Sequence, residues 1–132
     1  MKKFLSLSFV MLLALCVNAQ HKLEKIWETD SIINLPESVL PDVKAGVIYV
    51  SIMGNSADKK DGIGGVGKLD MNGKVINLDW ITGLNSPKGL AIHGNKMYVA
   101  DLTDVVVIDI PKYKIELTIL IEGSAFLNDI TV

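Results

Sequence analysis

The 132-residue sequence has no arginine; all 13 of its basic residues are lysines. That excludes the bidentate guanidinium clamp with which proteins grip carboxylates and phosphates. It has one cysteine, Cys16, which excludes a disulfide framework and a cysteine-based zinc site. Basic residues do not exceed acidic ones, 13 against 15, for a formal charge of −2. A general nucleic-acid binder needs a basic face that this balance does not supply. There are two histidines, His21 and His93. No serine-centred elbow accompanies them, so nothing points to a nucleophilic triad.

What is present is apolar. Hydrophobic residues make up 49% of the chain, and the mean hydropathy is +0.37. Most of this excess sits in the first twenty residues. Lys2 and Lys3 precede an apolar run from Phe4 to Cys16, and Val17-Asn18-Ala19 offers a cleavage site before Gln20. This is the layout of a secretory signal. The run is shorter than the roughly 20 residues that a bilayer-spanning helix needs. Leu15 before Cys16 disfavours lipid attachment at that cysteine. Residues 1–19 are therefore read as a signal peptide. The expected mature chain is exported, to the periplasm or the medium, has no cysteine, and keeps no membrane span.

The rest reads as strands. Apolar residues alternate or form short β-branched runs bounded by Gly, Asn, Asp and Pro. Candidate strands are 47–53, 66–71, 74–80, 90–93, 96–101, 105–110 and 114–121. Asn72-Gly73 suits a type I′ hairpin, in which both turn residues take positive φ. Pro111 ends its strand because it has no N–H to donate.

These strands repeat. "GVIYVSI" (46–52) answers "NKMYVAD" (95–101), and "KVINLDWITGLNSPKG" (74–89) answers "KIELTILIEGSAFLND" (114–129). Glu37, Lys88 and Asn128 then stand at equivalent places, where the innermost strand of each unit begins. Their spacings are 51 and 40 residues, and the inserted loop Gly54–Gly64 accounts for the 11-residue difference. A four-stranded unit of about 40 residues marks a β-propeller blade. The expected fold is all-β: a partial propeller of about two and a half four-stranded antiparallel blades. Residues 20–34 would hold a strand, Lys22–Thr29, that completes the last blade of a closed ring. Residues 35–84 form blade 1 with its inserted loop 54–64, residues 85–124 form blade 2, and residues 125–132 start blade 3. Propellers close with four to eight blades, so the expectation is a truncated chain from a parent of about six.

The segments "LPESV" (35–39), "NSPKGLAIHGNKMYVAD" (85–101) and "FLNDITV" (126–132) resemble the SMP-30/gluconolactonase/LRE-like family of six-bladed propellers. NHL-like propellers are the near alternative. The resemblance covers roughly the first third of a family member. It implies that Glu37 is a divalent-metal ligand and that Asn128 contacts substrate. The implied ion is Ca²⁺, Mg²⁺, Mn²⁺ or Zn²⁺ in the full-length protein, and none in this chain alone. The family's remaining ligands, an asparagine and an aspartate from later blades, have no counterpart here. The family's lactonases carry an arginine two residues before the matching asparagine, where this chain has Phe126.

The repeat frame supports these positions independently. Glu37, Lys88 and Asn128 would face one mouth of the central channel, overhung by the 54–64 loop, and Lys88 and Asn128 are the candidate substrate contacts. No catalytic residue is assigned. "GIGGVG" (62–67) opens a strand rather than a helix, so it is read as a flexible hinge of the loop and not as a dinucleotide motif. "DKKDG" (58–62) lacks the acidic spacing of a calcium loop. Trp27 and Trp80 are expected to pack between blades. Asp101 is expected to bond amides in the turn between the second and third strands of blade 2.

Three functions follow as expectations. One is a metal-dependent lactone or ester hydrolase when full-length. Another is a non-enzymatic propeller that binds a small molecule or a protein at its mouth. The third is a non-functional remnant. Unpaired edges are expected to pair with another chain.

Overall fold

The computed structural model describes residues 22–29 and 31–132; the expected signal peptide and His21 lie outside them. Eight strands form two sheets and, among the described residues, there is no helix. Blade 1 contains β1 (Pro36–Asp42), β2 (Val47–Ile52), β3 (Gly64–Asp70) and β4 (Val75–Leu84). Blade 2 contains β5 (Pro87–His93), β6 (Lys96–Asp101), β7 (Asp104–Asp109) and β8 (Lys114–Leu120). Each sheet is an antiparallel meander in chain order. The innermost strands β1 and β5 lie side by side, and β5 also touches β2 and β3. This is a partial β-propeller of two stacked blades.

β1 stands where the repeat places the innermost strand of blade 1, beginning at Glu37, although it carries Pro36 and Pro41. It tolerates them as an edge strand, bonded to β2 alone, since a missing N–H matters only where a ladder partner waits for it. Residues 22–29 form no strand. The sheet they were expected to join is not among the described residues, and Trp27 instead covers Gly73, where an added Cβ would come within 2.5 Å of the indole. Residues 125–132 likewise form no full strand. They make one bridge, Leu102 to Leu127, in which the Leu127 N–H donates to the Leu102 carbonyl at 2.6 Å.

The hairpin at Asn72-Gly73 is not the expected type I′. Only Gly73 takes positive φ, at 79°. The Gly73 N–H donates to the Asp70 carbonyl, and the Asp70 carboxylate accepts from the amides of Asn72 (2.8 Å) and Lys74 (2.9 Å). The carboxylate holds a wider turn and relieves Asn72 of the left-handed conformation. Asp109 does the same in blade 2, accepting from the Lys112 amide at 3.1 Å.

Alternation decides what each blade buries. Val47 and Tyr49 of β2, Val66 of β3 and Ile81 of β4 face blade 2. They meet Leu90, Met97, Val99 and Ile108 in one core. Ile48, Val50 and Leu69 turn the other way and form a second cluster on the outer side of blade 1, with Ile33 packed on it. Trp80 packs its ring 4.8 Å from that of Tyr49 and 6.4 Å, edge-on, from that of Tyr113 in the β7–β8 turn. It therefore bridges the two blades, as expected. The Lys68 ammonium sits over all three rings at 5.2–5.9 Å, a cation–π staple across the seam.

"GIGGVG" is not a hinge. Gly64, Gly65 and Gly67 are buried within β3. A Cβ on Gly65 would lie 2.4 Å from the Ile81 carbonyl oxygen, and one on Gly64 would lie 2.5 Å from Pro87. Glycine is there because β4 and the start of β5 approach the β3 backbone too closely for any side chain.

Candidate functional site at the blade openings

The inserted loop between β2 and β3 crosses from blade 1 to blade 2. Two lysines hold it there. Lys88, the second residue of β5, is only 2% exposed. Its ammonium donates to the Ala57 carbonyl in the loop at 3.0 Å and to the Ser86 hydroxyl at 3.4 Å, and touches Met53 Sδ at 3.2 Å. The ring of Phe126 covers it, with the centroid 4.5 Å away. From the other side Lys60, within the loop, bonds the Thr103 hydroxyl and lies 3.7 Å from Asp104. A buried ammonium must be hydrogen-bonded to be tolerated. Here a backbone carbonyl, a hydroxyl and an aromatic face supply that environment. The loop lies over the start of β5. Its anchoring to Lys88 was not legible, because nothing local in the sequence pairs Ala57 or Phe126 with a lysine at the opening of another strand.

Asn128 is brought beside Lys88 by its backbone: its carbonyl accepts the Gly89 N–H at 2.9 Å. Gly89 permits this approach, since a Cβ there would lie 2.8 Å from the Asp129 Cα. Glu37 opens β1 at the same end and is exposed; its neighbour Ser38 donates its N–H to the Ser51 hydroxyl at 2.9 Å. The structure therefore gathers Lys88, Phe126, Asn128 and the 54–64 loop. It leaves Glu37 on the adjacent strand, outside the partners of the Lys88 ammonium. Among the described residues no three His, Cys, Asp or Glu side chains come together as a metal-ligand group. The donors gathered here fall short of the six to eight oxygens that Ca²⁺ takes and of the octahedron that Mg²⁺ takes.

Asp101 bonds a different turn from the one expected. It is buried at the end of β6. Its carboxylate accepts from the Ser86 amide at 2.6 Å, the Asn85 amide at 2.9 Å and the Asn85 side chain at 3.3 Å. It thus clamps the β4–β5 connection, not the β6–β7 turn. That connection crosses between blades two residues before Lys88, so the clamp fixes where the buried ammonium emerges. His93 ends β5 exposed, next to the Gly94 turn.

At the opposite end of blade 2, Lys96 bonds both Glu116 and Asp109, and Lys112 bonds Asp109 at 2.9 Å. Hydrogen bonds from Lys96 and then Lys112 hold the Asp109 carboxyl well below the usual carboxylate range. Bonds to Glu116 and then Asp109 raise Lys96 above its ordinary value. A carboxyl whose folded pKa is depressed stabilises the fold above its unfolded pKa, about 4. It gives that contribution up as the pH falls toward the folded value. The acid limb of the stability curve, below about pH 5, is therefore expected to flatten in Asp109→Asn. Urea midpoints measured from neutral pH downward check this; an unchanged slope would remove the linkage.

No family model matches this sequence, and no curated protein matches it. Among solved structures, a chain of the crystal structure of a nidogen/laminin complex aligns with 77% of this chain at 16% identity and a TM-score of 0.39. The alignment spans 53% of that chain, about half its length.

Proposed function

We propose that this chain belongs to an exported propeller, of the SMP-30/gluconolactonase/LRE-like kind that its blade openings resemble, and that its mouth binds a ligand without hydrolysing it. One observation carries this reading: the Lys88 ammonium is buried against Ala57 and Phe126. Phe126 stands where the resembling lactonases have an arginine. The cation at this mouth is therefore committed to fixing the 54–64 loop, which makes a rigid rim rather than a free charge for a reacting carbonyl. Glu37, exposed and in no group of three potential metal ligands among the described residues, fits a ligand contact better than a metal ligand.

The test pairs two measurements on the full-length propeller to which these blades are proposed to belong. Thermal unfolding with Ca²⁺, Mg²⁺, Mn²⁺ or Zn²⁺ is expected to show no stabilisation, and hydrolysis of a simple δ-lactone and of an aryl ester is expected to stay at the buffer rate. Metal-dependent turnover that disappears in Glu37→Gln would establish the hydrolase instead. Lys88→Met should speed amide exchange across residues 54–64 with little change elsewhere; unaltered exchange would deny the rim its anchor.

A further inference from the structure

Lys68 lies toward the end of β3 away from the inserted loop, on the face turned to blade 2. It is half-buried. Its ammonium stands 5.2–5.9 Å from the rings of Tyr49, Trp80 and Tyr113. Among the described residues no carboxylate pairs with it and no oxygen accepts from it. Ring faces attract a cation, but three N–H donors are left without an acceptor. Trp80 beside it holds a second unanswered donor. Its indole N–H is the one buried side-chain polar atom without a partner among the described residues.

Both side chains line one open groove of about 360 Å³, together with Ile76, Asn77 and Tyr113. No acidic side chain lines it. Asn77 lies opposite Lys68 in the β3–β4 pair, and the register shifts on each side of that pairing. Such bulges re-aim side chains. The Asn77 Oδ1 accepts the Asp79 amide at 3.0 Å, so its NH₂ group remains as a donor. Tyr113 is held at φ 55°, a left-handed conformation that strains a bulky residue. Its ring is 64% exposed, and Ile76 is exposed beside it. These residues come from β3, β4 and the β7–β8 turn, all within the two complete blades. β4 and β8 are the outermost strands of their sheets, so a closed ring of blades leaves this groove open.

We propose that the groove binds a small aromatic carboxylate, its carboxylate on the Lys68 ammonium and the Asn77 amide, its ring against Tyr113 and Ile76. An unpaired cation beside an amide donor calls for an anionic acceptor. Aromatic and aliphatic walls call for a flat apolar body rather than a ring of hydroxyls. The groove lies at the other end of the blade seam from Lys88, and nothing in the inference rests on what the mouth binds.

The probe is benzoate, titrated into the isotope-labelled full-length protein and followed by nuclear magnetic resonance. The Trp80 indole N–H and the Asn77 side-chain amide should shift and saturate, with half-saturation at about 1 mM or below. Lys68→Gln and Tyr113→Leu should each weaken binding by about tenfold, while Lys68→Arg keeps it. Benzyl alcohol, which has the ring without the charge, and acetate, which has the charge without the ring, should each bind about tenfold more weakly than benzoate. If Lys68→Gln loosens the seam, seen as a lower urea midpoint, Tyr113→Leu on the exposed rim carries the test. The absence of a saturating shift overturns the proposal. So does benzyl alcohol binding as tightly as benzoate, or glucuronate doing so, which would give the groove to a sugar acid.

Discussion

Replacing Asp101 by alanine is expected to destabilise the fold by about 3–5 kcal/mol, measured as a lower urea midpoint at constant slope. The carboxylate is the acceptor for the Asn85 and Ser86 amides and for the Asn85 side chain. Ser86 is fully buried, so water does not readily replace the lost acceptor. Each buried amide left without a partner costs about 1–3 kcal/mol, and bonds to a charged acceptor are the stronger kind. Asp101→Asn separates charge from geometry. It keeps one oxygen but turns an NH₂ group toward an amide donor, and a loss of about 1–3 kcal/mol is expected. If alanine costs no more than a surface change, the clamp is not what fixes the β4–β5 crossing. The functional consequence is local: this crossing sets the start of β5, and hence the position of Lys88 under the inserted loop.

The second large effect is expected at the seam. Met97 is completely buried among Tyr49, Val66 and the apolar residues of blade 2. Met97→Ala should cost about 2–5 kcal/mol, the range for buried aliphatic truncations that leave a cavity. Its positional counterpart in blade 1 is Ile48, which lies on the outer cluster beneath Ile33. Ile48→Ala should cost less, because a covering segment without strand partners can settle into the space, whereas two apposed sheets cannot. Urea unfolding of both variants checks the comparison. Equal losses would show that the outer face of blade 1 is as firmly packed as the seam. The same experiment tests the reading of this chain as a non-functional remnant, since that reading requires wild-type unfolding without a cooperative transition.

The candidate site was legible only in outline. The repeat places Glu37, Lys88 and Asn128 at equivalent blade openings and identifies residues 54–64 as an insertion near them. Both follow from counting residues. What the counting does not contain is which polar group meets which. Ala57 and Phe126 stand 31 residues before and 38 after Lys88, and only the packing of three separate connections around one ammonium makes them its partners. Asp101 shows the same limit. A carboxylate at the end of β6 has two turns within reach, and the path of the β4–β5 crossing decides which one it bonds.

By itself the sequence determined that this protein is all-β and built on a blade-length repeat, because alternation and turn chemistry are local and each strand carries its own record of both. The tertiary structure alone decided three things. It set the edge position at which β1, the strand the repeat places at Glu37, tolerates two prolines, because its open side has no partner to miss an absent N–H. It required glycine at positions 64 and 65, because another strand's backbone fills the space of a side chain. And it turned Lys88 from an exposed charge at a mouth into a buried anchor, because the groups that satisfy an ammonium come from segments that meet only when the blades stack.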